Sequence, residues 1–351
     1  MDIDYKIREK RMRREIGGEF WKVEIGEENK LFPDNTVWFA SGRAALKAII
    51  KDIKAKNRVE TVALPSWCCD SMIVPFVDEG IKVSFYSVYF EDGQFRQEIN
   101  EEADIIFVMD YFGFTSDINM KSSDKIVIRD VTQSIFSKKY EDADYYFGSL
   151  RKWSGFYTGG FALKKEPWNI SVDFPEADRY YLYLRKKATR EKLEYIVGNK
   201  ESRKFIDIFE EGEYYLNTVK EITNGCTEDI ERAKHLDIDF IKKRRQENAK
   251  FLLQNIEFDE NIQPIFKEIK NGDIPLFFPI LVRDRENLRD RFIENGIYCP
   301  THWGVSIYHS VTERERYIYD NEMSLICDQR YNLDDMKHMC EIINECKYSG
   351  K

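Results

Sequence analysis

The stretch from Lys125 to Leu163 constrains the fold more than any other part of the chain. It opens with Ile126-Val127-Ile128, a short β-branched run flanked by charges. Such a run predicts a strand buried on both faces, as in a parallel sheet. The run leads to a carboxylate, Asp130. Residues 143–148, Ala-Asp-Tyr-Tyr-Phe-Gly, predict a second strand that runs straight into Ser149-Leu150-Arg151-Lys152-Trp153. Gly159-Gly160 then interrupts the chain ahead of Phe161-Ala162-Leu163. An acid thus closes one strand, and a serine and a lysine follow the next. In open α/β sheets the carboxyl ends of the strands are where ligands bind.

The flanking pattern agrees. Thr36–Ala40, Val62–Pro65, Ile81–Tyr86 and Ala103–Met109 read as strands. Between the first two, Leu46, Ile49, Ile50 and Ile53 recur at helical spacing, and Met72–Val77 continues as a second helix. Strand and helix in alternation predict an α/β fold with a large, mainly parallel, doubly wound sheet. Residues 166–240 are polar and helical, and Phe240–Ile256 reads as one amphipathic helix. Beyond it come a strand at Pro275–Val282, a helix at Asp284–Asn295 closed by Gly296, a strand at Ile297–Cys299, an apolar run at Ser324–Cys327 and a last helix at Leu333–Tyr348. These predict a small C-terminal α+β domain. At roughly 150 residues per domain, 351 residues divide into about two, which we place at 1–240 and 241–351. Residues 1–35 read as an arm anchored by Gly17-Gly18, Phe20 and Trp21.

Net charge is −9, with no basic block, so neither nucleic acid nor an anionic membrane is an expected partner. No run reaches the ~18 apolar residues of a membrane span, and the charged N-terminus does not resemble a signal peptide. Seven cysteines without a C-x-x-C pair, and four scattered histidines, give no metal site and predict free thiols in a reducing cytoplasm.

The residues at the strand ends suit one chemistry. A lysine amine can hold an aldehyde cofactor as a Schiff base. A carboxylate can keep a pyridine nitrogen protonated, so that the ring accepts electrons. A hydroxyl three residues before the lysine can bond a phosphate. Ser41-Gly42-Arg43, opening the first helix, offers free amides at the positive end of the helix dipole, a ready anion site. Each feature has a plainer reading: Asp and Lys are common at strand ends, and Ser41 is a sufficient helix cap by itself. Arg151 cannot form an imine because a guanidinium keeps its protons. Lys164 and Lys165 read as surface residues, and Lys138 and Lys139 as part of a charged loop. Tyr111, after the strand that ends at Met109, lies at the sheet edge where it could reach a ligand, and Gly113 would admit a close backbone approach.

The segment Asp130–Gly160 resembles the active-site core of fold-type I pyridoxal-phosphate enzymes, and most nearly the DegT/StrS family of sugar aminotransferases. The likeness extends from about Thr36 to Tyr348. It implies that Lys152 carries pyridoxal 5′-phosphate and that Asp130 faces the ring nitrogen. It also implies that Gln133, in the family's Asp-x-x-Gln pattern, sits at the cofactor's edge. Gly42 and Arg43 would give amides to the phosphate, although Arg43 replaces the family's usual threonine. Ser149 would join them, although its spacing to the lysine is shorter than in many members. Trp67, after Val62–Pro65, would stack on the ring. His302, in a GI-x-x-x-x-H-like segment, and Arg330 are the candidates for substrate contacts, with a turn histidine and an Asp328-paired arginine as plainer readings. The implied activity moves an amino group from an amino acid, taken as glutamate, to a nucleotide-linked keto-sugar in glycan biosynthesis, within a homodimer. A pyridoxal-phosphate lyase or dehydratase, a cysteine desulfurase and a non-catalytic binding module are the alternatives on the same fold.

Overall fold

The computed structural model describes residues 15–116, 118–120, 123–137 and 140–348, so Lys138, Lys139 and the first 14 residues of the arm lie outside the described residues. In chain order the strands are β1 (Ile16–Gly17), β2 (Val37–Phe39), β3 (Thr61–Pro65), β4 (Lys82–Glu91), β5 (Gln94–Glu98), β6 (Ile105–Met109), β7 (Ile126–Asp130), β8 (Tyr145–Ser149), β9 (Gly160–Lys164), β10 (Ile262–Pro264), β11 (Phe278–Val282), β12 (Ile297–Tyr298) and β13 (Glu322–Leu325). The helices are α1 (Gly42–Lys56), α2 (Asp70–Asp78), α3 (Arg179–Ile196), α4 (Phe205–Thr218), α5 (Thr227–Lys234), α6 (Ile238–Asn255), α7 (Arg285–Glu294), α8 (Glu313–Asn321) and α9 (Leu333–Tyr348). Among the described residues no helix is long and apolar enough to cross a membrane.

Eight strands form the main sheet in the order β2-β9-β8-β7-β6-β3-β4-β5. Its centre, β4-β3-β6-β7-β8, is parallel throughout. β6 and β8 are buried at every residue, which accounts for their unbroken apolar and aromatic runs. Antiparallel β9 and β2 extend the sheet at one side and β5 at the other. The expected α/β class with a mainly parallel sheet therefore holds. The β4–β5 hairpin was not anticipated. Its turn, Asp92-Gly93, takes positive φ at both residues, the geometry that Asp-Gly pairs favour between strands.

A second, antiparallel sheet, β10-β11-β13, lies in the C-terminal part, where α9 packs on α6 and α7. The division at 240/241 falls inside α6. β12 does not join that sheet: it pairs in parallel with β1 of the arm.

Buried charge fixes the sheet edge. Arg129, fully buried, donates to Asp110 and Asp142, both at 2.6 Å. Ser134 Oγ donates to the second oxygen of Asp110 at 2.9 Å. Side chains alternate along a strand, so this tie holds Arg129 while its neighbour Asp130 serves the opposite face. Lys164 is a correction to the sequence reading. It is buried, with Nζ 2.6 Å from Asp52, whose carboxylate also accepts from Tyr145 Oη at 2.7 Å. A lysine at a strand end was drawn inward by a helix acid 112 residues away.

Candidate active site

Four parallel strands, β3, β6, β7 and β8, end at one edge of the sheet, and a cavity of about 630 Å³ opens there. Its walls bring together Gly42, Arg43, Asp130, Gln133, Ser149, Lys152, His302 and Arg330. Residues more than 250 positions apart thus meet at the place where an open α/β sheet binds its ligands.

Lys152 ends a single 3₁₀ turn, Leu150–Lys152, that follows β8 directly. Leu150 is buried and anchors the turn, whereas Lys152 opens onto the cavity. The turn abuts the diglycine. Leu150 N donates to Gly159 O at 2.8 Å, and a Cβ on Gly160 would lie 2.1 Å from Ser41 O, so only glycine fits there. The Lys152 side chain is exposed to the open space of the cavity, and its pKa is lowered, first by the protein packed around it and then by the charge of Arg151, while Glu19 pulls the other way.

Asp130 closes β7 and is 2% exposed. One oxygen accepts from Thr132 N at 2.8 Å. Among the described residues no cation pairs with it. Burial pushes its pKa up to about 6, against the pull of the Thr132 hydrogen bonds and with a further push from Asp110. Gln133 uses its carbonyl to hold Phe112 N at 2.7 Å.

The start of α1 also lines the cavity. Ser41 Oγ accepts from Ala44 N at 3.1 Å, and Ser41 O accepts from Ala45 N. The amides of Gly42 and Arg43 are left without intrahelical acceptors. Ser149 is adjacent: its Cβ would stand 3.6 Å from a Cβ built on Gly42.

Two expected residues do not reach the cavity. Trp67 is fully buried, stacked on Tyr111 with centroids 5.2 Å apart and planes 10° apart, and edge-on to Trp303, which does line the cavity. Its indole N–H donates to His302 O at 2.7 Å. A ring-stacking role for Trp67 does not fit this position, because the chain after Pro65 turns so that Cys69, Ser71 and Met72 face the cavity instead. Tyr111 likewise spends its hydroxyl on Trp67 O. Gly113 does receive a close backbone neighbour, but it is Ile274 rather than a ligand.

The two substrate candidates differ. His302 lines the cavity, with Nδ1 2.8 Å from Ser324 Oγ and 3.8 Å from Glu322. Arg330 is saturated. It forms a forked pair with Asp328 at 2.9 and 2.7 Å, and donates to Gly18 O and Glu19 O at 3.0 and 3.1 Å. Phe20 lies 4.0 Å from its guanidinium. Its work is to strap the arm over the cavity.

The sequence did not point to Glu19, Arg185 or Glu213. Glu19, on the arm, lies 3.2 Å from Arg185. Glu213 Oε1 accepts from both Arg151 and Arg185. Glu19 loses water by burial, yet Arg185 and Arg151 outweigh that loss and hold its pKa down to about 2. Among the described residues no cluster of side chains is arranged for a metal ion.

No family model and no curated protein matches the sequence. Solved structures do match. The sugar aminotransferase CalS13 from Micromonospora echinospora superposes with a TM-score of 0.56 at 15% identity, over 88% of this chain and 87% of that one. PseC from Helicobacter pylori, an aminotransferase of pseudoaminic acid biosynthesis, gives 0.62 at 13% identity over 90% and 87%. NtdA from Bacillus subtilis, solved with bound cofactor PMP, gives 0.59 at 14% identity over 90% and 74%. The chain shares the fold of these proteins.

Proposed function

We propose that this chain, built on the fold of those aminotransferases, is itself a pyridoxal-phosphate-dependent aminotransferase. It would move an amino group from an amino acid, with glutamate the expected donor, to a keto-sugar carried on a nucleotide, for glycan biosynthesis in the cytoplasm. The observation that carries this reading is Asp130: a buried carboxylate without a cation, in the same cavity as a lysine of lowered pKa.

The residues present fit the cofactor. Asp130 lacks the positive partner that a protonated pyridine nitrogen would be. Ser149 and the amides at Gly42 and Arg43 line the cavity together at the start of α1, where a phosphate would lie. Gln133 lines the wall between. Bound there, pyridoxal phosphate supplies an aldehyde that condenses with amines and a ring that accepts the electrons of a carbanion.

Lys152 then does two things. As a nucleophile it needs a neutral amine, and the surrounding walls and Arg151 raise the fraction of that form. As a base its amine would take the proton from the donor's α-carbon and would give a proton back when the keto-sugar is aminated. Asp130 would hold the ring nitrogen of the bound cofactor in its protonated form. The arm strapped by Arg330 and the wall residues His302 and Trp303 border the space in which the reacting atoms would lie. We take residues 1–240 as the cofactor domain and 241–351 as the smaller domain that closes the cavity, and expect a homodimer.

Added pyridoxal phosphate should give an absorbance band near ~420 nm that borohydride fixes covalently, as expected of a Schiff-base lysine. The band and the adduct should both be lost in Lys152→Ala. An equal adduct in the variant, or no band in the native protein, would overturn the assignment.

A further inference from the structure

The end of the cavity beside α1 holds more positive charge than its own carboxylates neutralise. Arg43, Arg151 and Lys152 line it, and Arg185 lies behind them. Against these four cations stand two carboxylates, Glu19 and Glu213. With Lys152 as the neutral amine that the mechanism needs, the surplus is one positive charge, which favours an anion such as a phosphate monoester.

The donors are held in a particular way. Arg43 Nη1 donates to Asn217 Oδ1 at 2.9 Å. Arg151 pairs with Glu213. Glu213 and Asn217 are four residues apart on α4, one turn along the same face. A single helix face therefore occupies both arginines. Among the described residues two donors there remain unmet. Arg151 Nε is buried without an acceptor. Ser149, 8% exposed, caps nothing with its hydroxyl and lines the cavity next to Gly42.

We propose that Arg43 and Arg151 form a clamp for a phosphate monoester dianion, and that Asn217 and Glu213 hold their places until the dianion arrives. The proposal rests on the cofactor reading above where the phosphate is the cofactor's own, and a substrate phosphate is the other source. A guanidinium suits the exchange, because its planar fork matches phosphate oxygens and charge-assisted bonds are the stronger kind. Arg43 gives up only a neutral amide oxygen. Arg151 leaves Glu213 without stranding it, since Arg185 Nη1 stays 3.2 Å from the same oxygen. The Glu213 side chain is also 38% exposed, so water meets what Arg151 gives up.

The test is calorimetric titration of the full, ligand-free chain with pyridoxal phosphate, pyridoxal and inorganic phosphate. Arg43→Ala, Arg151→Met and Glu213→Gln are compared with the native protein, with melting curves to confirm folding. Each arginine variant should lose about ten- to a hundredfold in affinity for pyridoxal phosphate, the worth of charged hydrogen bonds, with pyridoxal much less affected. Glu213→Gln, which removes the competing anion and keeps the packing, should tighten inorganic phosphate. Equal losses for pyridoxal phosphate and pyridoxal would overturn the clamp and leave the arginines as supports of Lys152. Unchanged phosphate affinity in all three variants would overturn it outright. If inorganic phosphate binds and depends on both arginines while neither pyridoxal form yields the ~420 nm band, the clamp stands, the cofactor reading fails, and the phosphate belongs to a substrate.

Discussion

Two carboxylates face one cavity from opposite settings. Asp130 ends a buried strand with no cation beside it, and its pKa rises to about 6. Glu19 sits on the arm against Arg185, near Arg151 and Lys152, and its pKa falls to about 2. Asp130 is buried, whereas the Glu19 side chain keeps 41% of its surface exposed, and cations stand beside Glu19 alone. The sheet edge supplies a carboxylate whose charge is unmet, and the arm supplies one whose charge is spent. A ligand with a positive ring nitrogen is drawn to the first, and the arginines that satisfy the second remain in excess for an anion.

Replacing Lys152 by alanine should be the largest perturbation, because it removes the amine proposed as the nucleophile. Transamination should fall by about 10⁴-fold or more, and mass spectrometry after borohydride should find no covalent adduct. Asp130→Asn comes next and separates function from stability. Activity should drop by about 10²- to 10⁴-fold. The ligand-free variant should nevertheless be the more stable protein at pH 8. Folded Asp130 keeps its proton up to about pH 6, whereas the unfolded chain releases it near the ordinary 3.8. Native stability therefore falls as pH rises through that window, and asparagine removes the loss. The gain, read from denaturant melts, should reach at most about 3 kcal/mol at pH 8 and vanish only well below the unfolded value of 3.8, near pH ~2.5. Equal stability at pH 8 would mean that Asp130 is not an unmet charge.

A third pair of variants should move the lysine in opposite directions. Arg151→Met should raise the pKa of Lys152, and Glu19→Gln should lower it further, as read from the pH dependence of borohydride trapping. Shifts of the same sign would break the contrast between the two ends. Trp67→Phe should matter least: loss of the bond to His302 O should cost about 1 kcal/mol, with the bound-cofactor spectrum unchanged. A displaced band would return Trp67 to the cavity wall.

The end that carries Asp130 was legible in the sequence, because it is built from strand termini whose residues follow one another closely. Ser149 and Lys152 were legible for the same reason, and Gly42 through the helix start. The arginine–carboxylate network was not. Glu19, Arg151, Arg185 and Glu213 lie on four separate segments, and only the folded chain brings them within reach. Trp67 shows a subtler limit: the strand before it was correct, but the turn after Pro65 decides which side chain faces the cavity. Arg330 was correctly paired with Asp328 as the plainer reading had it. Its grip on the arm needed the structure. The Asp92-Gly93 hairpin, by contrast, was signalled in the sequence and passed over.

β1 pairs with β12, and Arg330 grips the carbonyls of Gly18 and Glu19. Synthesis proceeds from the N-terminus, and domains generally fold as they emerge. A ribosome therefore finishes the arm, and then the whole main sheet with Lys152, long before it makes the residues that fasten the arm down. For that interval the nascent chain has its lysine and its acid but an unfinished wall. The cavity closes only after the last elements leave the exit tunnel, so a truncated polypeptide would retain the reactive amine without the enclosure that disciplines it.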